Sequence, residues 1–289
     1  MVGTTDPQRT WRGHYEAAAA RLGSKAEARW IVSEAASDPW PHLLDELVSV
    51  RAERYFAQMV ERRAAGEPLQ YVLGRWPFRQ LDLIVDRRVL IPRPETEQVV
   101  EVALGELALL GSAPVVVDLG TGSGAIALSV AAEARPGAVW ATDASPDAIA
   151  MARANLVGLG GSRAPKVRLA VGSWWDALPD ELRGQISLVI SNPPYVSTAE
   201  MGSLPAVVAD WEPASALHGG PRGLDAIEVI VAGAPTWLAR PGTLVVELAP
   251  HQATAATALA RAAGFQETRV EKDLAGRDRA LVARLQPSP

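Results

Sequence analysis

The sequence predicts an α/β fold: a doubly wound, mostly parallel sheet behind a small N-terminal helical domain. Three observations carry the prediction. From residue 115 onward, short apolar runs alternate with helix-patterned segments over short connections, the pattern of a parallel sheet covered by helices on both faces. A glycine-rich run, Asp118-Leu119-Gly120-Thr121-Gly122-Ser123-Gly124, joins the first apolar run to its helix. Residues 1–68, by contrast, carry only helical periodicity.

Taken in order, the first helix is marked by Trp11, Tyr15, Ala18, Ala19 and Leu22 and stops at Gly23. Ser24 with Glu27 reads as a capping box opening a second helix through Ala28, Ile31 and Val32. Pro39 and Pro41 break the chain. A third helix is expected from His42 to about Ala65, on the apolar stripe Leu43, Leu44, Leu47, Val50, Tyr55, Met59 and Val60, with Gly66 ending it. Residues 69–90 alternate apolar and polar side chains around Tyr71, Trp76 and Phe78, so a strand pair is expected there. The proline-stiffened loop Ile91-Pro92-Arg93-Pro94-Glu95-Thr96-Glu97 then enters a helix at about Thr96. Strands are expected at 115–119, 138–142, 167–171, 186–191 and 243–248, with two closing strands at 267–271 and 279–285. Helices are expected from Ala125, from the Ser145-Pro146 cap, over 224–238 and over 251–263. The tail from Gln286 is expected to fray. These elements divide the chain into a helical domain (1–68), a hairpin linker (69–95) and a sheet domain (96–289).

At 289 residues the chain is long enough for about two domains. It has no cysteine, which excludes disulfides, thiolate metal sites, iron–sulfur ligation and a cysteine nucleophile. The histidines, His14, His42, His218 and His251, form no spaced pair, so no metal site is expected. The polar start is followed by no apolar leader segment, and no run reaches the ~18 apolar residues of a membrane span. A cytoplasmic protein is expected. Residues 1–90 carry 13 basic and 12 acidic side chains and the remainder 15 and 21, so the negative excess lies in the sheet-forming part. That balance gives nucleic-acid binding no support.

The glycine loop sits between a buried strand and a helix, where glycines let the backbone approach a ligand closely. Gly120, Gly122 and Ala125 satisfy a nucleotide-binding fingerprint, and Asp143 lies near the position of its ribose-binding acid. Ser145 is better placed than Asp143 to cap the next helix, which leaves the Asp143 carboxylate for ribose hydroxyls. The segment Ser191-Asn192-Pro193-Pro194-Tyr195 follows a buried strand and so falls at the carboxyl edge of the sheet, where ligands bind in this architecture. It presents a carboxamide oxygen, a backbone carbonyl and an aromatic face. Two rigid acceptors beside a ring suit a planar NH₂ group.

Asp118 to Gly124, Asp143 and the Asn-Pro-Pro-Tyr turn together resemble the S-adenosylmethionine-dependent amino-methyltransferases. Ile91 to Glu97, the run Glu67-Pro68-Leu69-Gln70-Tyr71 with Gly74, Glu212-Pro213 with Leu217, and Asp273-Leu274 with Gly276-Arg277-Asp278-Arg279 are similar, more narrowly, to the peptide chain release factor glutamine methyltransferase family. The resemblance runs through nearly the whole chain from Glu67. It implies a seven-stranded class I methyltransferase sheet, S-adenosylmethionine as cofactor with S-adenosylhomocysteine as product, and no metal. The implied reaction is methylation of the glutamine side-chain amide in the Gly-Gly-Gln motif of release factors, with the helical front end as substrate-binding domain. The partner is then a protein, with no nucleic acid and no membrane; a monomer is expected.

The resemblance also assigns roles. Asp118, Gly120, Thr121, Gly122, Ser123, Gly124, Asp143 and Trp174 would hold the cofactor, with Asn192 touching it as well. Asn192, Pro193, Pro194 and Tyr195 would hold the substrate, and Asn192, Pro193 and Tyr195 would act in catalysis. An amide nitrogen is a poor nucleophile because its lone pair is delocalised into the carbonyl. Asn192 Oδ1 and the Pro193 carbonyl would each accept one N–H, fixing the nitrogen and stabilising the positive charge that grows on it. Tyr195 would pack over the amide plane. Of Trp174 and Trp175, the family pattern favours Trp174 against adenine; Ser173 stands where the family commonly carries an acid. Arg93, Glu95 and Glu97 fall in the family's loop beside the cofactor. A sister activity on a ribosomal-protein glutamine shares the fold, the cofactor and the Asn-Pro-Pro-Tyr turn, and the segments 91–97 and 273–279 favour release factors over it. An adenine or cytosine amino-methyltransferase would need a flipped base and a basic footprint. A dinucleotide oxidoreductase would leave the Asn-Pro-Pro-Tyr turn without a purpose.

Overall fold

Residues 9–287 are described in the computed structural model, except Pro39, Pro41, Leu43, Arg135, Gly161, Ser162 and Arg163. The expected break at Pro39 and Pro41, the Leu43 position and the last two residues of the tail lie outside the described residues. The chain forms two packing units: residues up to Arg75 together with Ala206–Trp211, and Trp76–Pro205 together with Glu212 to the end.

The first unit is helical. α1 (Trp11–Leu22) is capped by Thr10 and ends at Gly23, and α2 (Lys25–Ala36) is capped by the Ser24 hydroxyl. The capping box forms by half: Ser24 accepts from the Glu27 N–H, but the Glu27 carboxylate turns to the Arg63 guanidinium at 2.8 and 2.9 Å. α3 runs from Val50 to Ala64, shorter than the sequence suggests. Residues ahead of it are drawn out by backbone bonds, Trp11 N–H to Glu46, Arg12 N–H to Leu44 and Val48 N–H to Arg9, so Ser49 becomes the cap. The second departure is α4 (Leu69–Leu73), a helical turn where a strand was expected. Its Tyr71, Val72 and Leu73 are buried, and Arg62 reaches the Tyr71 and Val72 carbonyls, so tertiary contacts override β propensity.

In the second unit, β1 (Arg75–Phe78) and β2 (Leu81–Ile84) make the expected hairpin. Its turn residue Arg79 has φ +50°, and its guanidinium is held by both Glu133 oxygens at 2.7 Å and by Glu101. α5 (Pro94–Leu107) follows, with proline in its first turn. Then come β3 (Val115–Leu119), α6 (Ala125–Glu133), β4 (Ala138–Asp143), α7 (Pro146–Leu159), β5 (Val167–Val171) and β6 (Ile186–Ser191). β7 (Leu238–Glu247), β8 (Glu267–Lys272) and β9 (Asp278–Leu285) complete a seven-stranded sheet of order β5-β4-β3-β6-β7-β9-β8. All pairs are parallel except β7 with β9 and β8 with β9. The central strands are buried on both faces, which is why Val116, Val117, Leu188, Val189 and Ile190 read as unbroken apolar runs. Helices Asp225–Trp237 and Ala253–Ala262 lie within the expected spans. Among the described residues, no helix is long and apolar enough to cross a membrane.

Candidate active site

β3 and β6 run side by side with Leu119 opposite Ser191, and the Ser191 hydroxyl donates to the Leu119 carbonyl at 2.6 Å. The glycine loop and the Asn-Pro-Pro-Tyr turn therefore leave adjacent strand ends, where the strand order reverses and an open α/β sheet leaves a crevice. A cavity of about 370 Å³ is lined by both loops, a size usual for small-molecule sites. Gly120, Thr121, Gly122, Ser123, Asp143 and Trp174 line it, as do Asn192 and Pro194. Asp118, Gly124, Pro193 and Tyr195 are not on its wall.

Gly120 and Gly122 have φ of +76° and +56°, a region that costs a residue with a side chain about 1–2 kcal/mol. A Cβ on Gly122 would meet no protein atom within 4 Å, so it would take cavity space instead of clashing with the fold. Gly124 acts below the wall: a Cβ there would come within 3.0 Å of Leu128 on α6 and 3.4 Å of Ala152 on α7. Asp118 is fully buried beneath the loop. Its Oδ2 accepts from the Thr121 hydroxyl at 2.6 Å and the Ala127 N–H at 3.1 Å, while Oδ1 has no partner. Burial, reinforced by the nearby Asp143 charge, pushes this carboxyl up to about 7 against the pull of those two bonds.

Asp143, at the end of β4, accepts the Gly122 N–H on one oxygen and the Ser145 N–H on the other, both at 2.9 Å. A carboxylate offers about four lone-pair sites, so each oxygen keeps one for a ligand hydroxyl. Burial raises its pKa, opposed by those two amides. The Ser145 hydroxyl caps α7, leaving Asp143 free of that task. The paired tryptophans separate. Trp175 is buried, stacks on Trp237 with 5.9 Å between centroids and donates to the Val229 carbonyl. Trp174 turns to the cavity at φ +45°, and its indole Cζ3 would lie only 3.5 Å from a Cβ on Gly120. A strained backbone at a cavity wall is a mark of function.

Asn192 is half-buried, and its Nδ2 donates to the Thr96 hydroxyl at 3.1 Å. That hydroxyl donates to Glu247 Oε2 at 2.7 Å. With Nδ2 tethered, Oδ1 is the free acceptor of the carboxamide. The Tyr195 hydroxyl donates to Glu247 Oε1 at 3.3 Å, which ties the Asn-Pro-Pro-Tyr turn to the end of β7. Burial, with the Glu247 charge next, raises the Tyr195 pKa and keeps it a neutral donor.

The loop 91–97 runs beside the cavity. Arg93 pairs with Glu212, Glu95 with Arg277, and Glu97 accepts the Arg79 N–H, while Pro92 and Thr96 reach the cavity. Sequence reasoning missed Thr96, Glu247 and Asn155. Asn155 on α7 donates to the Ser123 and Ile84 carbonyls and accepts the Ile84 N–H, clamping the glycine loop to β2. No local signal could have found that clamp; for Thr96, its place in the proline-stiffened loop was a hint.

These residues fit an S-adenosyl cofactor. A glycine cradle would be filled by a Cβ, Asp143 has spare acceptor capacity for hydroxyls, and Trp174 offers an aromatic face. The family description "Methyltransferase small domain" matches residues 104–207, and "PrmC N-terminal domain" matches residues 17–74. The chain is 42% identical over 265 residues to a release factor glutamine methyltransferase of Moorella thermoacetica, covering 90% of each. To a protein of the same name from Geobacter sulfurreducens it is 35% identical over 284 residues, covering 95% of this chain and 94% of that one. A methyltransferase structure from Pyrococcus furiosus superposes with TM-score 0.51 at 16% identity, covering 81% of this chain and 99% of that one, and so shares the fold. With relatives this similar along almost its entire length, the chain belongs to the release factor glutamine methyltransferase family.

Proposed function

We propose that this protein methylates the side-chain amide nitrogen of a glutamine in peptide chain release factors, the glutamine of their Gly-Gly-Gln motif. The observation that carries the reading is the Asn192 carboxamide: tethered through Nδ2, it offers Oδ1 alone at the rim of a cavity walled by the glycine loop. S-adenosylmethionine, when bound, supplies an electrophilic methyl group. The protein's part is to hold the amide. Asn192 Oδ1 and the Pro193 carbonyl each accept one hydrogen of the glutamine NH₂, which orients the nitrogen lone pair toward the cavity. Both acceptors gain strength as positive charge grows on that nitrogen, so their contribution falls mainly in the transition state. Alignment of the two reactants supplies the rest. The methylated nitrogen is strongly acidic and yields its extra proton to water, so no dedicated base is required. Gly120, Gly122, Asp143 and Trp174 would hold the adenosyl part, and Asp118 would support the loop beneath it.

Incubation with labelled S-adenosylmethionine and a purified release factor tests this. Label should enter the release factor and be absent when the motif's glutamine is replaced by alanine. Equal labelling of that variant would contradict the reading.

A further inference from the structure

Asn192, Thr96, Glu247 and Tyr195 come from three separate parts of the sheet domain and form one chain of hydrogen bonds. The chain has a direction. The Thr96 hydroxyl has a single hydrogen, and it goes to Glu247 Oε2 at 2.7 Å. Only lone pairs of Thr96 are then left toward Asn192, so only an N–H can stand opposite, and Nδ2 does so at 3.1 Å. A carboxamide has nearly the same shape in its two flips, and sterics alone would not choose between them. In the reversed flip, oxygen would face the Thr96 lone pairs and N–H groups would face the N–H groups of the substrate.

We propose that Thr96, polarised by Glu247, is the positioning residue that sets the flip of the Asn192 carboxamide and thereby makes it an acceptor for the substrate amide. This rests on the reading of Asn192 given above. It also accounts for asparagine at this position: a carboxylate has no hydrogen for Thr96 to accept. Glu247 is faced by Thr96 and Glu95 from α5, by Tyr195 from the turn and by Arg279 from β9. Burial pushes it up to about 7, with the Thr96 bond and Arg279 pulling down. Once protonated, Glu247 can donate to Thr96, whose own hydrogen then points at Asn192 and favours the wrong flip. Acid therefore loosens the relay.

The test uses Thr96→Val, which keeps shape and removes the hydroxyl, with Thr96→Ser as rescue. An unpartnered Nδ2 against a methyl group costs enough to lower the competent population about tenfold. Thr96→Val is expected to lose about tenfold in kcat with the dissociation constant for S-adenosylhomocysteine within twofold of the parent, and Thr96→Ser to recover most of it. Glu247→Gln, which can donate to Thr96 as the protonated acid does, is expected to show a kcat that no longer falls in acid. Independently of turnover, the Asn192 side-chain amide signals, assigned by their loss in Asn192→Ala, should shift with pH around 7 in the parent and not in Thr96→Val. A kcat for Thr96→Val within twofold of the parent, or amide signals indifferent to that substitution, would overturn the proposal. A parent that leaves release factor unmethylated while its Asn192 signals respond to Thr96→Val would instead refute the function and sustain the relay.

Discussion

Replacing Asn192 by alanine removes Oδ1 and leaves the Pro193 carbonyl as sole acceptor. One preorganised hydrogen bond acting on developing charge is worth about 2.7–4 kcal/mol, or roughly 10²–10³ in kcat. The lower end applies here, because the Asn192 site is only half-buried and water can substitute in part. The structural cost is smaller. One hydrogen bond to Thr96 is lost, about 1 kcal/mol, and Thr96 keeps its bond to Glu247. Asn192 is tied to no residue of the glycine loop, so the wall formed by Gly120, Gly122 and Asp143 should persist. The variant should therefore melt within a few degrees of the parent and bind S-adenosylhomocysteine with near-parental affinity by calorimetry. Methyl transfer to release factor should fall at least about a hundredfold. Turnover within threefold of the parent would refute the assigned role, and so would loss of cofactor binding in step with activity.

Four further outcomes follow from the same geometry. Gly122→Val should bind cofactor at least tenfold more weakly by titration while remaining folded, since its side chain meets open space and the backbone strain at φ +56° costs only about 1–2 kcal/mol. Glu247→Gln should gain stability over the parent as pH rises: between the unfolded value of about 4.3 and the folded value of about 7, the native parent keeps a proton that the unfolded chain has lost. Its stability thus falls by up to about 1.4 kcal/mol per pH unit in that window and levels off above it, so urea unfolding at pH 5, 6 and 8 should show the variant's advantage growing and then plateauing. Arg93→Ala strands the buried Glu212 carboxylate, which also accepts the Ile91 N–H, and should cost about 3–5 kcal/mol in thermal or urea melts. Breaking the exposed Arg183–Asp180 pair should cost under about 1 kcal/mol.

The sheet was legible because parallel strands covered on both faces read as continuous apolar runs, and Val115–Val117 and Leu188–Ile190 are such runs at the heart of their strands. The glycine loop was legible for a related reason: its backbone needs are local and written in glycine. The segments that misled were those whose conformation is set from a distance. Leu69–Leu73 carries strand-forming residues yet closes a helical turn because Arg62 captures its carbonyls. Residues before Ser49 carry helical spacing yet are kept out of the helix by backbone bonds to the start of α1. The Thr96–Glu247 contact spans 151 positions, and Glu247 ends an apolar strand where nothing nearby marks it as functional. Tyr195 was visible as an aromatic beside the turn, but its direction depends on Glu247, 52 positions away.

A structure of the protein with S-adenosylhomocysteine and a glutamine-containing release factor segment would test the central claim most directly. The glutamine nitrogen should lie within about 3 Å of both Asn192 Oδ1 and the Pro193 carbonyl oxygen, with Nδ2 still on Thr96. A glutamine nitrogen bonded to neither oxygen would contradict the account, as would Asn192 presenting Nδ2 to the substrate.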